Sequence, residues 1–159
     1  MRLALALLAA APLALVALAP ARSHDGDGPH DHATNAEIVA ARQAAFRLNG
    51  AVFFALKAAI ARGDDVKTLA LPAGAMAAWA KALPGLFPKG VTTPASKVLP
   101  AAWEDRPGFT AAAARLATAA GILAETAKAG DQPGFQAAYA EVGASCAGCH
   151  QKYRAEDKR

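Results

Sequence analysis

Two cysteines are all that this 159-residue chain contains, and both fall in Cys146-Ala147-Gly148-Cys149-His150. No third or fourth thiol exists to complete a zinc site of the paired C-x-x-C kind. A disulfide between residues three positions apart would close too small a loop to staple a domain. Period-two alternation of apolar and polar residues is absent, which removes strands from the reading. A thioredoxin-like redox pair goes with them, because its C-x-x-C opens a helix inside a strand-helix-strand unit. Charge of one sign is also lacking: 17 Lys and Arg stand against 13 Asp and Glu, a net +4. A balance this mild gives no case for nucleic acid or for strong steering toward acidic partners. Of the four histidines, His24, His30 and His32 share one tail, and Met76 is the sole methionine after Met1. No internal repeat is evident.

What is present is the pentapeptide itself. Two thiols three positions apart on a helical turn can each add to a haem vinyl group, while the adjacent imidazole is left pointing at the iron. The expectation is a c-type cytochrome with one haem c, covalent through Cys146 and Cys149, its iron held by His150. The N-terminus agrees. Met1-Arg2 precedes an apolar run from Leu3 to Ala21 that ends in Ala19-Pro20-Ala21, a small-x-small cleavage pattern. Residues 1–21 therefore read as a signal peptide cut near Ala21, giving a periplasmic protein with no stable membrane anchor. An uncleaved anchor is the alternative, since the run nearly suffices to span a bilayer; Pro12 and the small residues before Arg22 favour cleavage. Residues 22–33 read as a flexible His/Asp-rich leader. Its imidazoles and carboxylates are suitable ligands for Cu(II), Ni(II) or Zn(II), but Gly26 and Gly28 favour a plain leader.

Residues 34–159 carry four helical segments. The first opens on a capping box, Thr34-Asn35-Ala36-Glu37, and ends at Gly63. The second runs from Asp64 or Asp65 toward Leu83 with Val66, Leu69, Met76, Ala80 and Leu83 as its apolar stripe, and Pro72 is expected to kink or split it. A proline-rich connection over 84–104 follows. The third starts near Asp105-Arg106-Pro107, carries Phe109, Ala113, Leu116, Ala120 and Leu123, and stops at Gly130. In the fourth, Phe135, Tyr139, Val142, Cys146, Cys149 and Tyr153 step by four, three, four, three and four, so both thiols share the inward stripe. His150 is displaced about 100° from Cys149 around the helix. The predicted fold is all-α: an antiparallel up-down-up-down four-helix bundle enclosing a covalently bound haem.

With Ala41-Arg42-Gln43-Ala44-Ala45-Phe46 in helix one and Val142 to Arg154 around the haem motif, the chain resembles the class II c-type cytochromes, in particular the cytochrome c′ family, over essentially the whole mature region. Class I cytochromes carry their haem motif near the N-terminus. The resemblance places Phe46 over the iron face opposite His150, where low-spin members have methionine. A phenyl ring cannot coordinate iron, so the implied haem is five-coordinate and high-spin, serving electron transfer and/or the binding of NO or CO. Arg42 sits among hydrophobes on the stripe Ile38, Arg42, Phe46, Asn49, Phe53, Leu56 and Ile60. A buried guanidinium needs a partner, and a haem propionate is the expected one; snorkelling at the bundle edge is the alternative. Arg154, four positions after His150, should border the proximal side of the haem. Met76 is expected in the core. Phe53 is expected to be core or subunit contact, Tyr153 to pack and Lys152 to face solvent. The family commonly pairs through its first two helices, so a homodimer is expected; the redox partner protein is not specified. Two rivals stand against this reading. One is a low-spin six-coordinate electron carrier of the same class. The other is a haem peroxidase-like enzyme, which would need a distal acid/base that the chain does not supply once His150 is used.

Overall fold

The computed structural model describes residues 33–156. Five helices appear among them: α1 (Asn35–Arg62), α2 (Ala70–Ala82), a single turn α3 (Ala101–Glu104), α4 (Arg106–Ala129) and α5 (Gln132–Tyr153). The four long ones correspond to the four expected segments and form the bundle. The signal and leader assigned to 1–21 and 22–33 lie outside the described residues except for Ala33.

Local chemistry sets most boundaries. Thr34 Oγ1 accepts from the Glu37 N–H at 3.3 Å, and Glu37 Oε2 accepts from the Thr34 N–H at 2.7 Å. Gly63 and Gly130 end α1 and α4 in the left-handed region, φ 75° at each, where a Cβ is disfavoured. α4 and α5 open on the same five-residue cassette, Asp105-Arg106-Pro107-Gly108-Phe109 and Asp131-Gln132-Pro133-Gly134-Phe135. In each, the aspartate caps the helix by accepting from the glycine N–H, at 3.1 and 3.0 Å. The proline occupies the first turn, and the phenylalanine is buried. A Cβ at the fourth position would run into the capping carboxylate, so glycine there leaves room for the cap. The sequence reading, which found no repeat, missed this short one.

The segment expected to be kinked or split by Pro72 is split. A 3₁₀ turn over Val66–Leu69 precedes the helix, and Pro72 falls in the first turn of α2 itself, where its missing N–H costs nothing. The break thus comes before the proline.

α4 is the central helix, packed along α2 on one side and α5 on the other. Alanine permits this closeness: Ala73, Ala80, Ala112, Ala113, Ala120 and Ala127 are buried between Phe109, Leu123, Phe135 and Val142. Met76 is buried among them, as expected. α1 packs least closely, with Val39, Arg42, Leu56 and Ala59 as its buried residues. Between α1 and α5 lies the space that defines the site.

Candidate haem site

The final turns of α5 face a cavity of about 640 Å³ whose walls come from α1, α4, α5 and the connection after α2. Phe46 enters from α1, Phe87 from the connection, Phe109 from α4, and Cys149, His150 and Tyr153 from α5. Phe46 is held edge-on by Trp79 (ring centroids 4.9 Å) and Phe87 (6.0 Å). Arg42, Phe46, Cys149, His150 and Arg154 thus all reach one cavity. Cys146 does not line it; it is half-buried one turn back and packs against the core beside Cys149.

Burial pushes both thiols up, and for Cys146 the neighbouring Cys149 adds to the effect. A redox-active pair shows the opposite shift. The His150 ring has its pKa lowered by the surrounding protein and then by the Arg154 charge, so the imidazole is neutral near pH 7, the form that ligates metal.

Arg42 is only 5% exposed. Its guanidinium lies over the Phe87 ring at 4.5 Å and donates to the Leu86 carbonyl (3.2 Å), the Val91 carbonyl (3.5 Å) and Ser96 Oγ (3.3 Å). Snorkelling is therefore not its role. The connection has no ladder of its own to satisfy its carbonyls, and arginines do so instead: Arg106 donates to Phe87 O at 3.2 Å and Pro84 O at 2.7 Å. Gln43 Nε2 adds a bond to Ala95 O at 2.9 Å. Sequence reasoning could not see these partners, because an irregular segment has no periodicity to read.

Arg154 also differs from expectation in one respect. α5 ends at Tyr153, and Arg154 is extended (φ −124°, ψ 132°), paired antiparallel with Val98. It reaches the cavity wall from beyond the helix, not from its last turn. Phe53 stacks on Tyr139 of α5 at 4.4 Å between centroids, a contact across the bundle. Tyr153 packs as expected, but its hydroxyl and the Lys152 ammonium both reach Asp105, a residue the sequence reading used only as a helix start.

The residues present suit a large flat group with an apolar body and acidic edges. The volume lies in the usual range for organic cofactor sites, and the aromatic walls are apolar. Arg42, Arg47, Lys97 and Arg154 line the cavity while no carboxylate does. Trp79 Nε1, behind Phe46 and not on the cavity wall, is a buried donor without a hydrogen-bond partner among the described residues, an arrangement that costs about 1–3 kcal/mol when nothing accepts from it. A helical bundle that sets a C-x-x-C-H imidazole and thiol on the wall of such a cavity defines a bundle-type c-type haem protein.

Comparison with known proteins gives the family. Residues 37–154 match the family model described as Cytochrome C′, and the chain belongs to the cytochrome c′ family, whose cofactor is covalent haem c. It is 40% identical to cytochrome c-556 from Agrobacterium tumefaciens (strain B2A) over 100 residues, 61% of this chain and 80% of the relative. Among solved structures, cytochrome c′ from Thermochromatium tepidum superimposes with a TM-score of 0.71 at 28% identity, covering 78% of this chain and 98% of its own. A cytochrome c′ described as having a ligand-controlled dimer dissociation superimposes with a TM-score of 0.72 at 26% identity, over 78% of this chain and 98% of its own.

Proposed function

We propose that the protein is a periplasmic high-spin cytochrome whose haem is tethered by Cys146 and Cys149, ligated by His150 alone, and used for electron transfer and/or the binding of NO or CO. The observation that carries this reading is the pairing of His150 from α5 with Phe46 from α1 on one cavity. The haem supplies the redox-active iron. His150 offers a neutral nitrogen to it. Phe46, held edge-on by Trp79 and Phe87, offers no ligating atom and would present an apolar ring to the bound group. Small neutral diatomics lose little on entering such a space, whereas hydrated anions lose their water and gain few partners. Arg42 holds the connection against α1 and, being a cation on the cavity wall, is the proposed neighbour of a haem propionate; Arg154 borders the His150 side. Turnover of a substrate of its own is not proposed, since the lining residues other than His150 provide no histidine or carboxylate to move a proton.

We further read the protein as a homodimer. Ala41, Ala44, Leu48, Ala51, Ala55 and Ala58 step by three and four along α1 and are all exposed, with Leu48 70% and Phe54 67% accessible. α1 is also long and apolar enough to cross a membrane by length and composition. A seam of small residues at heptad spacing fits a second copy better than lipid.

The deciding experiment is the absorption spectrum of the purified ferric and ferrous protein, with mass analysis for the covalent group. High-spin spectra and CO uptake by the reduced form are expected. A low-spin spectrum without CO binding would overturn the open-face reading, and a bare polypeptide mass would overturn haem attachment. Phe46→Met should move the spectrum toward six-coordinate low spin; an unchanged spectrum would mean that Phe46 does not lie over the iron.

A further inference from the structure

Asp105 does more than start a helix. Its carboxylate accepts from the Gly108 N–H at 3.1 Å, Lys152 Nζ at 2.6 Å and Tyr153 Oη at 2.9 Å. One side chain therefore ties the first turn of α4 to the last turn of α5, the turn that carries His150. The same turn is held from its other side by backbone: the Leu99 N–H donates to Tyr153 O at 2.9 Å and the Ala155 N–H to Lys97 O at 2.7 Å. The Tyr153 ring, buried and lining the cavity, meets Phe109 edge-on at 5.2 Å. An exposed ion pair such as Lys152–Asp105 contributes little alone. This carboxylate is different because it also caps a helix and holds a buried tyrosine beside the proximal histidine.

We propose that Asp105 is a positioning residue for His150, acting through Tyr153 and Lys152 to fix the angle and reach of the imidazole toward the iron. Groups beyond the first ligand shell commonly orient a ligating histidine through its second ring nitrogen. Here the orientation comes through the helix end itself, gripped by backbone on one side and Asp105 on the other. The cassette glycine serves the same end, since a Cβ at Gly108 would displace the carboxylate. This inference rests on His150 ligating haem iron.

The test uses the haem-loaded full-length protein and reads the iron–histidine stretching band of the ferrous form by resonance Raman, together with the midpoint potential and the melting curve. Tyr153→Phe keeps the ring against Phe109 and removes only the hydroxyl; it should broaden and shift the band and move the potential while the melting transition stays cooperative. Asp105→Ala should do more, and the double variant no more than Asp105→Ala, because both act through one carboxylate. Should Asp105→Ala fail to fold for want of its cap, Tyr153→Phe and Lys152→Met carry the test. Folded Tyr153→Phe and Lys152→Met proteins with unshifted band and potential would overturn the positioning role and leave His150 ligation intact. Absence of an iron–histidine band in the unsubstituted ferrous protein would overturn ligation by His150 alone, and with it this inference.

Discussion

A carboxylate with three donors titrates unusually. Lys152, then the Tyr153 hydroxyl, then the Gly108 N–H hold Asp105 below its ordinary value of 3.8. A depressed folded pKa means that its contribution to stability is fully present above the unfolded value and is lost as pH falls through the folded one. Asp105→Asn should therefore lower the melting temperature at pH 7, and the gap from the unsubstituted protein should narrow as pH drops below about 3.8. A gap that stays constant from pH 7 to pH 2.5 would show that the charge of Asp105 does not matter. Arg42 shows the other kind of polar residue. Its donors meet carbonyls and a hydroxyl, so its loss should be felt first as a loosened connection. Arg42→Leu should make 86–96 readily cleaved by protease, and Arg42→Lys should be a poor substitute because an ammonium cannot span three acceptors in a plane.

At the scale of the element, boundaries were legible where the chemistry is local. The Thr34 capping box, Gly63, Asp105 and Gly130 each mark a helix end through a donor, an acceptor or a backbone conformation that a sequence displays. The α5 stripe was equally plain because 3.6-residue periodicity survives in it through Tyr153. What could not be read is what depends on distant partners. The 84–104 connection contains the single turn α3, and its course is set by Arg42 and Arg106 side chains arriving from α1 and α4. The end of α5 falls at Tyr153 because Arg154 pairs with Val98, a residue 56 positions earlier. Phe46 was placed by resemblance; spacing alone said only that it was inward. Of the two outcomes expected at Pro72 the segment takes the split, with α2 beginning at Ala70 so that the proline falls in a first turn, though the exact break was not legible. The glycine ends make a direct prediction. Gly130 has φ 75° and a Cβ there would meet Lys67 Cε at 2.6 Å, so Gly130→Ala should destabilise the fold by about 1–2 kcal/mol, measured by denaturant unfolding of the haem protein.

For the whole molecule, one face of α1 lines the cavity and the other lies open. If the open face is a subunit seam, Leu48→Glu combined with Phe54→Glu should convert the protein to a monomer in sedimentation, with an unaltered haem spectrum because neither side chain lines the cavity. A dimer that persists would assign that face elsewhere. α1 meets the remainder of the bundle through Arg42, through Phe46 against Trp79 and Phe87, and through Phe53 stacked on Tyr139.

The pairing of Val98 with Arg154 also has a directional consequence. Everything that grips the roof of the pocket from the α5 side, the Tyr153 carbonyl and the Ala155 amide, lies downstream of His150. A chain stopped at Gln151 would keep both thiols and the imidazole yet lose these two backbone bonds, so residues 153–155, none of them a proposed iron ligand, hold the 97–99 stretch against the end of α5.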